Sequence, residues 1–196
     1  MEKIKLFIYG ASGHGKVVAD IAKDNGFKEI IFIDDGDNKY LTFENIKTQN
    51  HIPIALGIGD NFIRNKIFKK LKRFNFNIIT LIHSSAIISD NVTILDGSVV
   101  MPNVVINTNT KVGKGVILNT SCIIEHDNII KDFVHISPNA ALAGNVKVGK
   151  FTHIGIGSSV IQNIQIEKKC IIGAGSVVIK NITKNTKCAG VPAKKI

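Results

Sequence analysis

An acid, an imidazole and a second acid stand side by side at Glu125, His126 and Asp127, within the stretch CIIEHDNII. Carboxylates next to an imidazole raise its basicity and fix which ring nitrogen carries the proton. Such an imidazole is suited to take a proton from an amine or a hydroxyl that attacks an electrophile. The triplet therefore predicts a general base at His126. The alternative is a solvated histidine at a corner of the fold.

The composition argues against nucleic acid as a partner. The chain has 196 residues, 44% of them hydrophobic, and a net charge of +10. Its lysines are scattered along the whole length and its aromatic residues are few, whereas nucleic-acid binding needs clustered charge and stacking rings. The positive charge suits small polyanions such as nucleotide sugars or coenzyme A.

The cysteines and the N-terminal segment predict a cytoplasmic protein. The three cysteines have no paired spacing, which is typical of reduced thiols. The segment MEKIKLFIYG has only a short apolar run before its glycine, so it predicts neither a signal peptide nor a membrane span.

The N-terminal third alternates between strand and helix patterns. KIKLFIYG, EIIFIDD, IPIALGIGD and NIITLIH are predicted as four strands. Between them, ASGHGKVVADIAKDNG and residues 61–74 carry apolar residues at helical spacing. Strands that alternate with helices favour a parallel sheet with right-handed crossovers. We therefore expect a small Rossmann-like α/β unit.

A glycine-rich turn, GASGHG, follows the first predicted strand. Glycines at this position let the backbone approach a phosphate, which the helix N-terminus attracts. Asp34 and Asp35 close the second strand, where acids bind ribose hydroxyls in dinucleotide folds. The unit is too short for both halves of an NAD fold, so the pattern favours a mononucleotide or a nucleotide sugar. An ordinary tight turn is the alternative.

From residue 82 onward, every sixth position is aliphatic, in an unbroken series from Ile82, Ile88 and Ile94 to Val178. Neither a helix nor simple strand pairing has a period of six over this length, whereas a β-helix built from hexapeptides does. The many Asn, Gly, Val and Thr residues also argue against helices. The C-terminal two-thirds is therefore predicted to be a β-helix.

This repeat resembles that of the hexapeptide-repeat acyltransferases. The resemblance implies a left-handed parallel β-helix in which three hexapeptides complete a coil of 18 residues, with about five coils in all. An open stack of parallel strands needs a cap at each end. We expect the Rossmann-like unit to cap one end and the segment TKNTKCAGVPAKKI to cap the other.

A coil of 18 residues brings residues that differ by 18 into one column. His135 and His153 should then stack on one face, and Gly144 should lie directly over His126, with an accessible backbone N–H suited to a thioester oxyanion. His126 and His135 differ by nine and should lie on different faces of one chain. They can meet only where two subunits pack together, as in a trimer.

The order of motifs resembles, over essentially the whole chain, the family of sialic acid O-acetyltransferases and nucleotide-amino-sugar N-acetyltransferases. YGASGHG and LIH precede an uninterrupted hexapeptide prism that contains ILNTSCIIEH and HISPNAALAGNVKVG, and GVPAKK follows near the end. Within this family, the chain is most similar to the UDP-4-amino-sugar N-acetyltransferases of bacillosamine biosynthesis. An Asp stands after the histidine where those members have Glu.

The resemblance implies roles for individual residues. His126 is the base, and Asp127 raises its basicity; both are catalytic. His135 contacts acetyl-CoA near its acetyl group, and Gly144 with the following coils lines the pantetheine arm. No role is implied for His153, which we expect at the surface. The residues implied for acetyl-CoA are His135, Gly144, Ile156 and Ala174, and those implied for the nucleotide sugar are Ser12, Gly13, His14, Asp34, Asp35, Gly59 and Asp60.

The sequence thus predicts three segments and one activity. Residues 1–82 form the Rossmann-like nucleotide-sugar domain, 83–182 the left-handed β-helix, and 183–196 a cap that contributes to coenzyme A binding. The predicted enzyme is a homotrimer that transfers acetyl from acetyl-CoA directly to the C4 amine of a UDP-4-amino-4,6-dideoxy-sugar, without a metal.

Three alternatives remain at this point. The same base and oxyanion donor would serve O-acetylation of sialic acid or a related sugar hydroxyl. A zinc enzyme of the carbonic anhydrase type would use His126, His135 and His153, although two of these share a column. An NAD-dependent oxidoreductase would explain GASGHG but leave the whole prism without a purpose.

Overall fold

The computed structural model describes residues 4–196, so Lys3 of the first predicted strand lies outside the described residues. The N-terminal domain has a three-stranded parallel sheet in the order β2-β1-β3. Its helices pack apolar side chains such as Val18 and Leu71 against this sheet and its surroundings. The strands are Lys5–Tyr9 (β1), Glu29–Ile33 (β2) and Ile54–Leu56 (β3), and the helices are Gly13–Asp24 (α1), Phe43–Ile46 (α2) and Asn61–Arg73 (α3).

The prediction of NIITLIH as a fourth strand of this sheet is wrong. Ile78 makes only an isolated parallel bridge to Ile54, and the chain then leaves the sheet. Leu81–Ile82 (β4) is instead the first strand of the C-terminal repeat, where it pairs with Val99–Val100. A short apolar run predicts a strand but carries no information about which sheet the strand joins.

The C-terminal part is a parallel β-solenoid with three faces and two-residue strands. Six coils are formed, rather than the predicted five or so. Face 1 contains β4, Val99–Val100 (β7), Ile117–Leu118 (β10), His135–Ile136 (β13), His153–Ile154 (β16) and Ile171–Ile172 (β19). Face 2 contains Ile87–Ile88 (β5), Val105–Ile106 (β8), Ile123–Ile124 (β11), Ala141–Leu142 (β14), Ser159–Val160 (β17) and Val177–Val178 (β20). Face 3 contains Thr93–Ile94 (β6), Lys111–Val112 (β9), Ile129–Ile130 (β12), Lys147–Val148 (β15) and Gln165–Ile166 (β18).

The period of six arises from one inward aliphatic residue on each face and one residue with a left-handed backbone conformation at each corner. From Val100 to Val178 the aliphatic series is at most 3% exposed. Every sixth residue from Gly97 to Gly175 has a positive φ, which Gly and Asn adopt most easily. A second inward position, four residues after the aliphatic one, mostly holds a small or β-branched residue. The fully buried examples are Ser98, Thr110, Cys122, Val134, Ala140, Thr152, Ser158 and Ser176.

The end of the chain continues face 1 and then reverses. Lys187–Ala189 (β21) pairs in parallel with β19, and Lys194–Lys195 (β22) pairs antiparallel with β21. The reversal covers the last coil, as expected for a cap. The predicted fold class, an α/β domain followed by a parallel β-helix, is confirmed.

A buried arginine joins the two parts of the molecule. Arg64, in α3, is fully buried and donates to Gly115 O at 2.7 Å and to Val134 O at 3.4 Å in the solenoid. On its own domain it donates to Ile58 O and Gly59 O, at 3.0 and 2.8 Å. The N-terminal domain therefore lies in a defined orientation against face 1 and its neighbouring corner.

Candidate active site

His126 lies at the corner between faces 2 and 3, two residues after the end of β11, and 57% of its side chain is exposed. Its Nδ1 is 2.8 Å from Asp127 Oδ2. Asp127 has a φ of +60°, and Asn109 Nδ2 donates to its other oxygen at 3.2 Å. The hydrogen bonds from His126 and Asn109 lower the pKa of Asp127, so this carboxylate is charged and accepts the Nδ1 proton. The other ring nitrogen, Nε2, is left as a proton acceptor.

The two acids of the triplet have different partners. Asp127 contacts the imidazole, even though an Asp is shorter than a Glu. Glu125 instead accepts a hydrogen bond from Asn107 Nδ2 at 2.8 Å, one coil away. Only one of the two carboxylates therefore orients the ring.

Gly144 lies against the His126 ring, as the 18-residue column predicts. A Cβ added to Gly144 would come within 2.5 Å of both Cε1 and Nε2 of the imidazole. Gly144 itself is buried and packs against the ring. Within residues 4–196 its backbone N–H has no hydrogen-bond acceptor. Gly144, whose N–H is unpaired within residues 4–196, thus lies against the ring that carries the free nitrogen Nε2.

His135 and His153 form a stacked pair on face 1. They pair directly between β13 and β16, and their ring centroids are 4.6 Å apart at an interplanar angle of 31°. His135 Nε2 is 3.1 Å from Asn119 Nδ2, and His153 Nε2 is 2.8 Å from Ser137 Oγ. The column prediction for these two histidines is met, but His153 is half-buried and engaged rather than a free surface residue.

The histidines at the domain junction are neutral at ordinary pH. Burial, followed by electrostatic interactions with His153, Arg64 and His14, lowers the pKa of His135 to about 3. Burial and Arg64 lower the pKa of His14 to about 4, and the same two causes lower the pKa of His153. One atom of each of two rings, His14 Nε2 and His135 Nδ1, is buried without a hydrogen-bond partner among residues 4–196.

Most of the residues predicted for the nucleotide sugar line one cleft of the N-terminal domain. The cleft has a volume of about 370 Å³ and lies at the carboxyl ends of the parallel strands. Gly13 is exposed at the start of α1, and the half-buried His14 interacts electrostatically with His135. The predicted residues that line the cleft are Ser12, Asp34, Asp35, Gly59 and Asp60.

The two acids after β2 organise this cleft. Asp34 accepts from the Ala11 N–H at 3.0 Å, which holds the glycine-rich turn, and this bond lowers the pKa of Asp34. Asp35 accepts from the Tyr9 hydroxyl and, at 3.0 Å, from Lys70 Nζ. Burial alone would raise the pKa of Asp35, but its hydrogen bonds lower it, so both carboxylates are charged.

Asp60 has a structural task as well as its position in the cleft. Its Oδ1 accepts from the backbone N–H groups of Phe62 and Ile63, at 2.9 and 2.8 Å, and so caps α3. The second oxygen remains available to the cleft.

Ile156 and Ala174 occupy one column at the corner between faces 1 and 2. Both side chains are exposed. Ile156 lies two coils and Ala174 three coils beyond the coil of His126, and both stand at another corner. They do not meet His126 within one chain.

Sequence reasoning missed three contributors to this region: Asn119, Arg64 and Lys70. Arg64 stands on a helical face that also carries apolar residues, which is the only signal that it is buried. Asn119 occupies a repeat position beside an inward leucine, and nothing in its spacing indicates a contact with His135.

Within the described part of the chain, no group of three or more His, Cys, Asp and Glu side chains is arranged to hold a metal ion. No helix in residues 4–196 is both long enough and apolar enough to cross a membrane.

A nucleotide-type α/β domain attached to a hexapeptide solenoid, with a histidine–aspartate pair at a solenoid corner, defines the class of hexapeptide-repeat acyltransferases. Comparisons with known proteins narrow the class. Residues 5–71 match the family described as the PglD N-terminal domain. The acetyltransferase domain of PglB from Neisseria gonorrhoeae FA1090 is 34% identical, with a TM-score of 0.92 over 98% of this chain and 99% of that one. It has also been solved in complex with acetyl coenzyme A.

The names of two further relatives include their substrates. A variant of perosamine N-acetyltransferase from Caulobacter crescentus, solved with CoA and GDP-perosamine, is 29% identical with a TM-score of 0.94 over 98% of this chain and 96% of that one. UDP-N-acetylbacillosamine N-acetyltransferase of Bacillus subtilis (strain 168) is 36% identical over 109 residues, 48% of this chain and 50% of the relative.

The chain belongs to this family of hexapeptide-repeat sugar N-acetyltransferases. The predictions of an acetyltransferase and of acetyl-CoA as its acetyl donor are confirmed at the level of the family.

Proposed function

We propose that this chain transfers the acetyl group of acetyl-CoA to the C4 amine of a UDP-4-amino-4,6-dideoxy-sugar. The observation that carries the proposal is the His126–Asp127 pair, whose imidazole packs against Gly144. An amine nucleophile, rather than a sugar hydroxyl, is supported because the relatives named above are N-acetyltransferases. Uridine diphosphate is supported by the 36% identity to the bacillosamine relative.

The pair supplies a general base and an oxyanion donor. Asp127 holds the Nδ1 proton, so His126 Nε2 accepts a proton from the attacking amine. The nitrogen forms a bond to the thioester carbon, the C–S bond breaks, and coenzyme A leaves as a thiolate that takes up a proton. The Gly144 N–H donates to the thioester oxygen while it carries negative charge. No acetyl-enzyme is needed, because both substrates are bound and aligned.

The two substrates occupy different parts of the molecule in this proposal. The nucleotide binds in the cleft of Ser12, Asp34, Asp35, Gly59 and Asp60, with Gly13 and His14 beside it. Acetyl-CoA runs along the solenoid past Gly144, Ile156 and Ala174, with His135 near its acetyl group. The C-terminal segment 183–196 contributes to this second site.

A homotrimer brings these parts together. The outward residues of face 2 form an apolar row, in which Ile87 is 67% and Ile123 is 40% exposed. Face 1 is covered in its first coils by the N-terminal domain, and face 3 carries exposed lysines such as Lys111 and Lys147. Burial of face 2 around a three-fold axis removes the apolar row from water.

This packing also completes the active site. Face 2 has His126 along one edge and the column of Ile156 and Ala174 along the other. Rotation about a three-fold axis brings unlike edges of neighbouring chains together. His126 of one chain then approaches the corner of the next chain that leads from His135 on face 1.

A substrate panel tests the proposal. Purified protein is incubated with acetyl-CoA and UDP-, GDP- and dTDP-linked 4-amino sugars, with sialic acid as a hydroxyl acceptor, and the products are identified by mass spectrometry. We expect a mass gain of one acetyl group on the UDP-4-amino sugar, together with sequential kinetics. Acetylation of sialic acid alone, or ping-pong kinetics with a trapped acetyl-enzyme, would overturn the proposal.

A further inference from the structure

The hydrogen bonds around His135 determine its tautomer. Asn119 Oδ1 accepts from the Thr120 N–H at 2.8 Å, so the carbonyl end of this amide is fixed. Its Nδ2 therefore donates to His135 Nε2 at 3.1 Å. A ring nitrogen that accepts a hydrogen bond carries no proton in the neutral imidazole. The proton of His135 is consequently on Nδ1.

This Nδ1–H is a buried donor that nothing in residues 4–196 satisfies. Buried polar groups are nearly always paired, so this unpaired donor calls for an explanation, and a catalytic role supplies one. The atom lies at the junction of the two domains, on the face that carries the site proposed for the acetyl group.

His153 keeps the ring in this orientation. Its ring packs on that of His135 with a tilt of 31° and centroids 4.6 Å apart, and Ser137 Oγ at 2.8 Å from Nε2 holds His153 itself. Rotation of the His135 ring would exchange its two nitrogens, break the bond from Asn119 and disturb this stack. The nearest charged or titratable groups are His14 from α1, Arg64 from α3 and His153 from β16, and all three disfavour a proton on both nitrogens.

We propose that His153 is a positioning residue, which stacks on His135 and so directs its Nδ1–H at an acceptor atom of the bound acetyl-CoA thioester. Asn119 fixes the tautomer and His153 fixes the ring plane. This inference rests on the acetyl-CoA contact proposed above for His135. It makes His135 a hydrogen-bond donor in the reaction and leaves proton transfer to His126.

Nuclear magnetic resonance tests the tautomer without any reaction. Long-range ¹⁵N spectra of protein labelled at histidine distinguish Nδ1–H from Nε2–H, and single-histidine variants assign the signals. We expect an Nδ1–H signal for His135 that persists from pH 5 to pH 8 and moves when acetyl-CoA is added. An Nε2–H tautomer, titration near 6.5, or no response to acetyl-CoA would overturn the inference.

Variants of His153 and Ser137 test the positioning role. H153L removes the ring and the bond to Ser137, so we expect a mixture of His135 tautomers and a fall in kcat of about 10- to 100-fold, the cost of a misplaced contact. The KM for the nucleotide sugar should stay unchanged. H153F retains a stacking ring and should restore most of the activity. S137A, which leaves both rings in place, is the second variant if H153L does not fold, and it should show a smaller loss of the same kind.

The exposed His51 supplies the matched control, because H51L changes a histidine that belongs to neither proposed binding site. If H153L or, should it not fold, S137A retains the wild-type tautomer and kcat, His153 has no positioning role. If no acceptor is acetylated by the wild type, the proposed function fails, whereas the spectra and their response to acetyl-CoA still decide this inference.

Discussion

At the scale of single residues, the contact between His126 and Asp127 leads to the first prediction. H126A should lower kcat by about 10²–10⁴-fold, the usual share of general base catalysis, with little change in acetyl-CoA affinity. D127N should lose less, because it removes the charge that orients the ring but leaves the base. Steady-state rates and calorimetric titration with acetyl-CoA measure the two effects. Equal activity of D127N and the wild type would mean that the contact at 2.8 Å has no part in catalysis.

Gly144 permits the position of this imidazole. G144A would bring a Cβ within 2.5 Å of Nε2, so the exposed ring must turn away from the site. We therefore expect kcat to fall towards the level of H126A, with little change in the denaturant midpoint because the ring moves into solvent. In the H126A background the added methyl group meets no ring, and the same substitution should have no further effect on the rate. Additive losses in the double variant would contradict this explanation.

The sequence indicates the base more clearly than it indicates the environment of the base. His126 and Asp127 are neighbours in the chain, and the 18-residue coil that the family resemblance implies relates Gly144 to His126, so both contacts could be expected from the sequence. Asn119 contacts His135 in the next coil, and the Arg64 guanidinium donates to Gly115 O in the other domain. Such contacts depend on side-chain reach and on domain orientation, which no period in the sequence encodes.

At the scale of elements, the same difference separates the solenoid from the N-terminal domain. Each repeat carries its own inward aliphatic residue and a corner residue in the left-handed conformation, so the period predicts the whole solenoid, with about five coils where the structure has six. The N-terminal strands have no such repeat to indicate which strands pair. The short helix α2 was not predicted, and NIITLIH was assigned to the wrong sheet for this reason.

Substitutions of Asp60, at the start of α3, should distinguish its effect on stability from its effect on substrate binding. D60A removes the cap on the Phe62 and Ile63 N–H groups and should lower the free energy of unfolding by about 1 kcal/mol. D60N retains a capping oxygen and should keep the wild-type stability, because Asn caps as well as Asp. Both variants should bind the nucleotide sugar less tightly if the carboxylate contacts it. Wild-type affinity in D60N would restrict Asp60 to its structural task.

The junction between the domains predicts a dependence of stability on pH. The pKa values of His135 and His14 fall from 6.5 to about 3 and about 4 on folding, so the unfolded chain binds more protons between these values and 6.5. Their contribution to stability is therefore complete above pH 6.5 and is lost as the pH falls towards 4. Carboxyl groups with lowered pKa values lose their contribution around and below their ordinary value of 3.8, so they overlap this window only at its acidic end.

Urea midpoints between pH 7.5 and pH 4.5, at constant protein concentration, measure this dependence. H135Q combined with H14Q should flatten the curve, whereas H51Q, at an exposed histidine, should leave it unchanged. A curve of the same slope in the double variant would show that other groups take up the protons.

At the scale of the whole molecule, the positions of His126 and His135 determine how the site is assembled. His126 follows a strand of face 2, and His135 belongs to a strand of face 1, so one chain presents them on different sides of the solenoid. In the proposed trimer each cleft uses His126 from one chain and His135 from the next. H126A and H135A subunits, each inactive alone, should then regain activity when they are unfolded and reassembled together. For random mixing of equal amounts, about one quarter of the clefts contain both intact residues.

A second mixture distinguishes this assembly from a site within one chain. Wild-type subunits mixed equally with the H126A/H135A double variant should retain about a quarter of the wild-type activity per chain if each cleft is shared, because both neighbours must be wild type. If the site lies within one chain, about half of the activity should remain, and the mixture of single variants should stay inactive. Light scattering on each sample confirms that equal amounts of trimer are compared. The pair of values, one quarter in both mixtures, follows only from a cleft to which each chain contributes one of the two histidines.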